Sequence, residues 1–155
     1  MDIPELLLKA SDLETLASKL YESLAGLSSE PDLRKWLKSL ANEELNHANI
    51  LNTGKKYYQE MPDVFAGTTM DDDELWAGIE EAKRFQALLI PGFSLLRGLK
   101  KMLEFESRFE KIHLGTSVKI TEPSLKKLFV NLTKGDQSHI IILKNLIESL
   151  GAETE

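Results

Sequence analysis

Apolar residues recur along this chain at alternating steps of three and four, the spacing of one face of an α-helix. The first such stripe reads Leu7, Ala10, Glu14, Ala17, Tyr21, Leu24, and the second reads Leu33, Leu37, Leu40, Glu44, His47, Leu51. A third reads Leu99, Met102, Glu106, Phe109, His113; a fourth reads Leu125, Phe129, Leu132, Asp136, His139, Leu143, Leu146, Leu150. The stripes predict four long helices packed on one another, an all-α fold.

The helix ends follow from capping chemistry. The first helix is expected from Ile3 to Ala25, with Gly26 as its C-cap. The second starts at Ser29, where Ser29-Glu30-Pro31-Asp32 supplies a cap, an acid, an early proline and a capping partner. It is expected to reach Tyr58, before Met61-Pro62. The third runs from Ser94 to His113 and stops at Gly115. The fourth is capped by Thr121 and reaches Leu150, before Gly151. Between the pairs, residues 60–93 are too many for a tight turn. Within them MDDDELWAGIEEAKRFQALL predicts a crossover helix, with Asp71 to Glu74 at its positive N-terminal end. Pro91-Gly92 then breaks the chain.

The chain also repeats itself. Residues 29–47 (SEPDLRKWLKSLANEELNH) align without a gap on 121–139 (TEPSLKKLFVNLTKGDQSH), an offset of 92. The same offset pairs Glu14 with Glu106 and Tyr21 with His113. Two copies do not make a solenoid, but they suit two helical hairpins. Two short-looped hairpins joined by a long crossover that contains a short helix form the ferritin-like four-helix topology.

The whole chain of 155 residues is the size of one domain, so 1–155 is read as a single unit. A net charge of −6 argues against nucleic acid as a partner. No cysteine is present, which rules out disulfides, thiolate metal sites and cysteine nucleophiles. The N-terminal MDIPELLLKASDLE carries acids where a secretion signal needs a basic start. The most apolar stretch, Phe85 to Leu99, is interrupted by Gln86, Pro91, Gly92 and Arg97, so no membrane span is expected. The expected compartment is the cytoplasm.

The informative residues are the polar ones on the stripes. Each stripe carries a carboxylate near its middle: Glu14, Glu44, Glu106 and Asp136. His47 and His139 follow the second and fourth of these by three residues, on the same helix face. A single Glu-x-x-His is ordinarily surface charge, and Glu14 or Glu106 alone is ordinarily solvated. Their agreement changes this reading: Glu14 precedes Glu44, and Glu106 precedes Asp136, by the same 30 residues. Four carboxylates driven into one core lose hydration and repel one another. Two divalent cations balance them, and two neutral imidazoles complete the ligand shells. One carboxylate from each of two helices, with an acid-x-x-His from each of the other two, is a di-iron or di-manganese constellation. Iron and manganese suit this donor set, and zinc is possible.

With these residues the chain resembles the rubrerythrin-like branch of the ferritin-like superfamily, in outline over nearly its whole length. Ala10, Glu14, Ala17 and Tyr21 match the first-helix motif A-x-x-x-E-x-x-A-x-x-x-Y, and the later E-x-x-H and the Glu106 to His113 segment follow the family's order. The resemblance implies that Glu14 and Glu106 are terminal ligands and that Glu44 and Asp136 bridge the metals. It also implies that His47 and His139 each cap one ion, and that Tyr21 hydrogen-bonds a ligating carboxylate. Three departures stand out. Asp136 replaces a Glu and is shorter by one methylene. His113 replaces a second Tyr, and can act as a hydrogen-bond donor, a metal ligand or a core residue. Phe109 stands where peroxide-reducing members add a carboxylate.

The expected function is a non-haem di-iron redox protein reducing peroxide or dioxygen, a homodimer fed by a separate electron donor. The competing readings are ferrous-iron oxidation and handling, or a lapsed site in a bundle kept as an interaction module. No helical segment is read after Leu150, which disfavours a ferritin cage. Trp36, Trp76 and Tyr57-Tyr58 are read as core or rim packing ahead of partner contacts.

Overall fold

A computed structural model describes residues 3–60 and 73–154 of the chain. Among these residues there are five helices and no strand: α1 (Ile3–Leu27), α2 (Pro31–Glu60), α3 (Asp73–Leu88), α4 (Leu95–Lys119) and α5 (Pro123–Thr154). The fold is all-α. α1 and α2 form one hairpin, and α4 and α5 form a second. The two associate through α2 on α5 and α1 on α4, while α3 lies against α1 and α4. No described helix is long and apolar enough to cross a membrane.

The hairpins form because each helix has one apolar face and a turn too short to point it elsewhere. On α1 the small residues Ala10, Ser11, Ala17 and Ser18 are buried, so the α2 backbone comes close enough for Ser11 Oγ to donate to the Ala48 carbonyl at 3.4 Å. The crossover helix is amphipathic in the same way, burying Leu75, Gly78, Ile79, Ala82 and Phe85. Its other faces carry Glu81, which pairs with Arg108 and, at 3.2 Å, with Lys101 of α4. Lys9 lies 3.8 Å from the Trp76 ring centroid, a cation–π contact that ties α1 to α3. Trp36, Trp76 and Tyr57 lie at the surface, whereas Tyr58 is partly buried against the core. Asp71, Asp72 and Met61-Pro62 lie outside the described residues.

The helix ends differ from the sequence expectation in an instructive way. α1 runs through Gly26 to Leu27, α4 runs through Gly115 to Lys119, and α5 runs through Gly151 to Thr154. A glycine ends a helix by adopting positive φ, and among the described residues only Gly92, at φ 96°, does so. Beyond Gly115 the buried Thr116, Ser117 and Ile120 keep α4 packed, and their burial outweighs one glycine's modest helix cost. The caps shift as well. The Glu30 amide donates to Ser28 Oγ at 3.2 Å, so Ser28 rather than Ser29 holds the start of α2. At α5 the Glu122 carboxylate accepts from the amides of Ser124 (3.1 Å) and Leu125 (2.6 Å), the role expected of Thr121. A two-pronged anionic cap is longer in reach than threonine and also complements the helix dipole. Glu122→Ala is expected to cost about 1 kcal/mol, a fall of about 2–4 °C in melting temperature for a chain of this size, while Thr121→Ala changes it by less.

Candidate metal centre

The polar members of the four stripes meet in the middle of the bundle. Glu14, Glu44, Glu106, His113, Asp136 and His139 are each at most 1% exposed, and the His47 side chain is 15% exposed. Buried ionisable groups of this number are costly unless something neutral or cationic joins them. Their contacts fall into three overlapping groups, each tight enough for one ion: Glu14 with Glu44 and His47; Glu44 with Glu106 and His139; and Glu14 with His113 and Asp136. Glu14 and Glu44 each belong to two groups.

The distances show how the helices cooperate. His139 Nδ1 lies 2.8 Å from Glu44 Oε1 and 3.2 Å from Glu106 Oε1. His47 Nδ1 lies 3.3 Å from Glu44 Oε2 and 3.7 Å from Glu14 Oε2. The two imidazoles stack, with ring centroids 5.6 Å apart and 19° between planes. Tyr21 donates its hydroxyl to Glu106 Oε1 at 2.5 Å. The repeat's counterpart of that contact is His113 Nε2 at 3.2 Å from Glu14 Oε1. The internal repeat is therefore visible as an approximate two-fold relation between the hairpins.

Asp136 is where the relation fails. Glu44 reaches both histidines, but Asp136 is grouped with Glu14 and His113 alone, its Oδ2 2.5 Å from His113 Nδ1. Asp136 is one methylene shorter than Glu44, its counterpart in the repeat, and His113, the counterpart of Tyr21, supplies the nitrogen that it meets. His113 thus joins the polar cluster rather than the apolar core.

Seven of the buried side-chain atoms here have no hydrogen-bond partner: both Glu14 oxygens, Glu44 Oε2, His47 Nδ1, Glu106 Oε2, His113 Nε2 and Asp136 Oδ1. Several lie within 4 Å of one another yet do not point at each other. Buried polar atoms are almost always paired, and lone pairs that converge without pairing suit a cation between them. These clusters can hold metal ions, and the donor set of carboxylate and imidazole fits hard or borderline divalent cations.

Without a cation the cluster must be balanced by protons. Burial pushes Glu44 well above the usual carboxylate range, and the charges of Glu106 and Glu14 push it further. Burial acts on Glu14 in the same direction, but contacts from Glu44, His113 and His47 outweigh it and hold Glu14 well below that range. Burial opposes charge on His113, yet Asp136 and Glu14 raise it to about 10. His139 likewise overcomes burial through Glu106 and Glu43 and rises to about 9. Burial raises Asp136 to about 7 against the charge of His113. Tyr21, buried and facing the charges of Glu106, Glu44 and Asp136, is pushed well above its ordinary value and keeps its proton.

Two residues of the site lie off the stripes. Glu43 Oε2 is 2.6 Å from His139 Nε2, the nitrogen facing away from the cluster. Gly135 lies against the other imidazole: a Cβ there would sit 2.7 Å from His47 Cε1 and 2.9 Å from Nε2. The helical period gave no reason to single out either. The offset of 92 does, because it places Glu43 opposite Gly135.

No protein-family model, curated protein or solved structure matches this chain.

Proposed function

We propose that the chain is a ferritin-like, rubrerythrin-like carboxylate protein that holds two iron ions and reduces peroxide or dioxygen with electrons from a separate donor. The supporting observation is that seven buried nitrogen and oxygen atoms without hydrogen-bond partners all belong to residues of the three groups that could each hold an ion. In this reading Glu14, Glu44 and His47 hold one ion and Glu44, Glu106 and His139 hold the other. Glu44 is shared, Asp136 is held at the margin by His113, and manganese or zinc can occupy the same donors.

Two ferrous ions, when bound, supply the two electrons that convert hydrogen peroxide and two protons into two molecules of water. The chain's part is to bind, orient and shield. Tyr21 keeps its proton at Oη and donates a hydrogen bond to Glu106 Oε1, fixing that carboxylate's orientation and leaving Oε2 free for an ion. Leu37, Phe109 and Leu132, all at most 1% exposed, share the buried stripes with the carboxylates, so the site lies in a core that excludes bulk water. A homodimer in the cytoplasm, served by a distinct reductase, completes the reading.

The test is anaerobic loading with ferrous iron followed by hydrogen peroxide. The expected result is uptake of two irons per chain, then growth of an oxo-bridged ferric absorption band within seconds and its disappearance on re-reduction. A chain that binds no iron, or whose ferrous form ignores both oxidants, removes the proposal. One observation favours a second reading, a metal-free interaction module. The pairs His113 with Asp136 and His139 with Glu43 neutralise part of the cluster without a metal. It predicts a melting temperature that does not respond to chelator.

A further inference from the structure

The two hairpins present matching ligands but unequal supports behind them. His139 shows one nitrogen, Nδ1, to Glu44 and Glu106, and turns the other, Nε2, to the Glu43 carboxylate at 2.6 Å. A hydrogen bond donated from Nε2 fixes the ring's rotation and places its lone pair on the cluster-facing nitrogen. Such outer carboxylates are worth about 10–100-fold in metal affinity. Glu43 sits at the rim, 48% exposed, while His139 is 1% exposed.

The repeat places Gly135 at the position equivalent to Glu43. There, among the described residues, no carboxylate pairs with His47 Nε2. The space next to its ring is so tight that even a methyl group would come within 2.7 Å. The His47 side chain is 15% exposed, the greatest exposure among the seven cluster side chains. One imidazole is braced and sealed. The other is unbraced and reaches solvent.

We propose that Glu43 is a positioning residue that makes the ion bound by Glu44, Glu106 and His139 the tightly held one, and that Gly135, which packs on His47 but offers it no carboxylate, makes the ion bound by Glu14, Glu44 and His47 the exchangeable one, through which the centre loads. The proposal rests on the two-ion reading above. It adds an order of filling and an inequality of the halves, set by one residue pair, Glu43 and Gly135, that touches neither ion. The brace acts through the ring's orientation, so charge and geometry at position 43 are both predicted to count.

Metal-free full-length chain is titrated with Mn2+, with free ion read by its paramagnetic resonance, and with Co2+, read by visible absorption. The unaltered chain is expected to bind two ions in steps about 10-fold or more apart. Glu43→Ala weakens the tighter step by about 10–100-fold and leaves the weaker one unchanged. Glu43→Gln, which can still accept from Nε2, falls between them. The first-equivalent Co2+ spectrum shifts in Glu43→Ala, because the imidazole's donor strength changes, and melting of the metal-free variant stays within a few degrees of the parent. Gly135→Ala displaces His47 and weakens the second step alone. Two equal steps in the unaltered chain, or a Glu43→Ala effect on the weaker step only or on neither, overturns this inference while two ions still bind. Absence of any binding by the unaltered chain overturns both readings.

Discussion

Loading the metal-free chain with a hundredfold excess of Mn2+ or Fe2+ over its dissociation constants is expected to raise the melting temperature by about 10–20 °C, and chelator is expected to reverse it. A ligand that binds only the folded chain adds about 2.7 kcal/mol at that excess. Two ions therefore add about 5 kcal/mol, and each kcal/mol moves a chain of this length by about 2–4 °C. The ions fill sites whose residues carry five of the seven buried atoms that lack partners, so binding removes a standing cost as well as adding bonds. Calorimetry with and without chelator checks this. A melting temperature that ignores both metal and chelator eliminates the metal centre and leaves the interaction-module reading.

The pH dependence gives the same experiment a second arm. His113 and His139 have folded values raised to about 10 and about 9, above the roughly 6.5 of an unfolded histidine. Raised bases contribute stability that is complete below the unfolded value and is lost as pH climbs through the folded one. Asp136, raised to about 7, and Glu44, also raised, bind protons in the folded chain that the unfolded chain has released, so their effect has the same sign at lower pH. Glu14, held low, works the other way and matters only in acid. The metal-free chain is therefore expected to lose melting temperature between pH 6.5 and pH 10. Cations displace these protons, so metal affinity rises with pH and the gap between loaded and metal-free chains widens. A metal-free chain that grows more stable from pH 6.5 to 9 contradicts the proton balance described for the cluster.

The buried faces were legible in the sequence because the helical period places every stripe residue on one line. Leu7, Leu40, Met102 and Leu143 are all buried, and the carboxylates between them share their fate. The repeat added the pairing of hairpins, since two copies of one pattern pack as two copies of one unit. The ends were less legible. Gly115 and Gly151 have the composition of a stop, but a stop requires positive φ, which neither adopts, and after Gly115 the burial of Thr116 and Ser117 held the backbone helical. Least legible was the support of the site. Glu43 is the neighbour of a stripe residue, so its period points it away from its own hairpin's core. It meets His139 only because α2 and α5 run side by side, a contact no single helix encodes. Asp136 shows the same limit: its carboxylate meets His113, and only the three-dimensional arrangement reveals that partner.

Glu44→Gln is expected to abolish two-ion binding while leaving the metal-free fold as stable as before, or more so. Glu44 is the carboxylate common to the two groups that carry His47 and His139, with one oxygen 2.8 Å from His139 and the other 3.3 Å from His47. Glutamine keeps its shape and removes its charge. Both ions then lose a ligand, and affinity is expected to fall by more than about 100-fold, beyond the loss of an outer partner alone. Folding gains for the reason that binding loses. Glu44 is buried beside Glu106 and Glu14, whose charges oppose its ionisation, and a neutral amide escapes that repulsion at every pH. The advantage is largest in alkali, where the unaltered side chain is driven toward its charged form. Leu40→Ala, one turn away at 0% exposure, serves as the contrast. It opens a cavity worth about 2–5 kcal/mol, lowering the melting temperature while leaving two ions per chain. A residue that only held the bundle together would behave like Leu40. Metal stoichiometry and melting curves on the two variants separate these roles, and a Glu44→Gln chain that melts several degrees lower yet still binds two ions would place Glu44 among the structural residues.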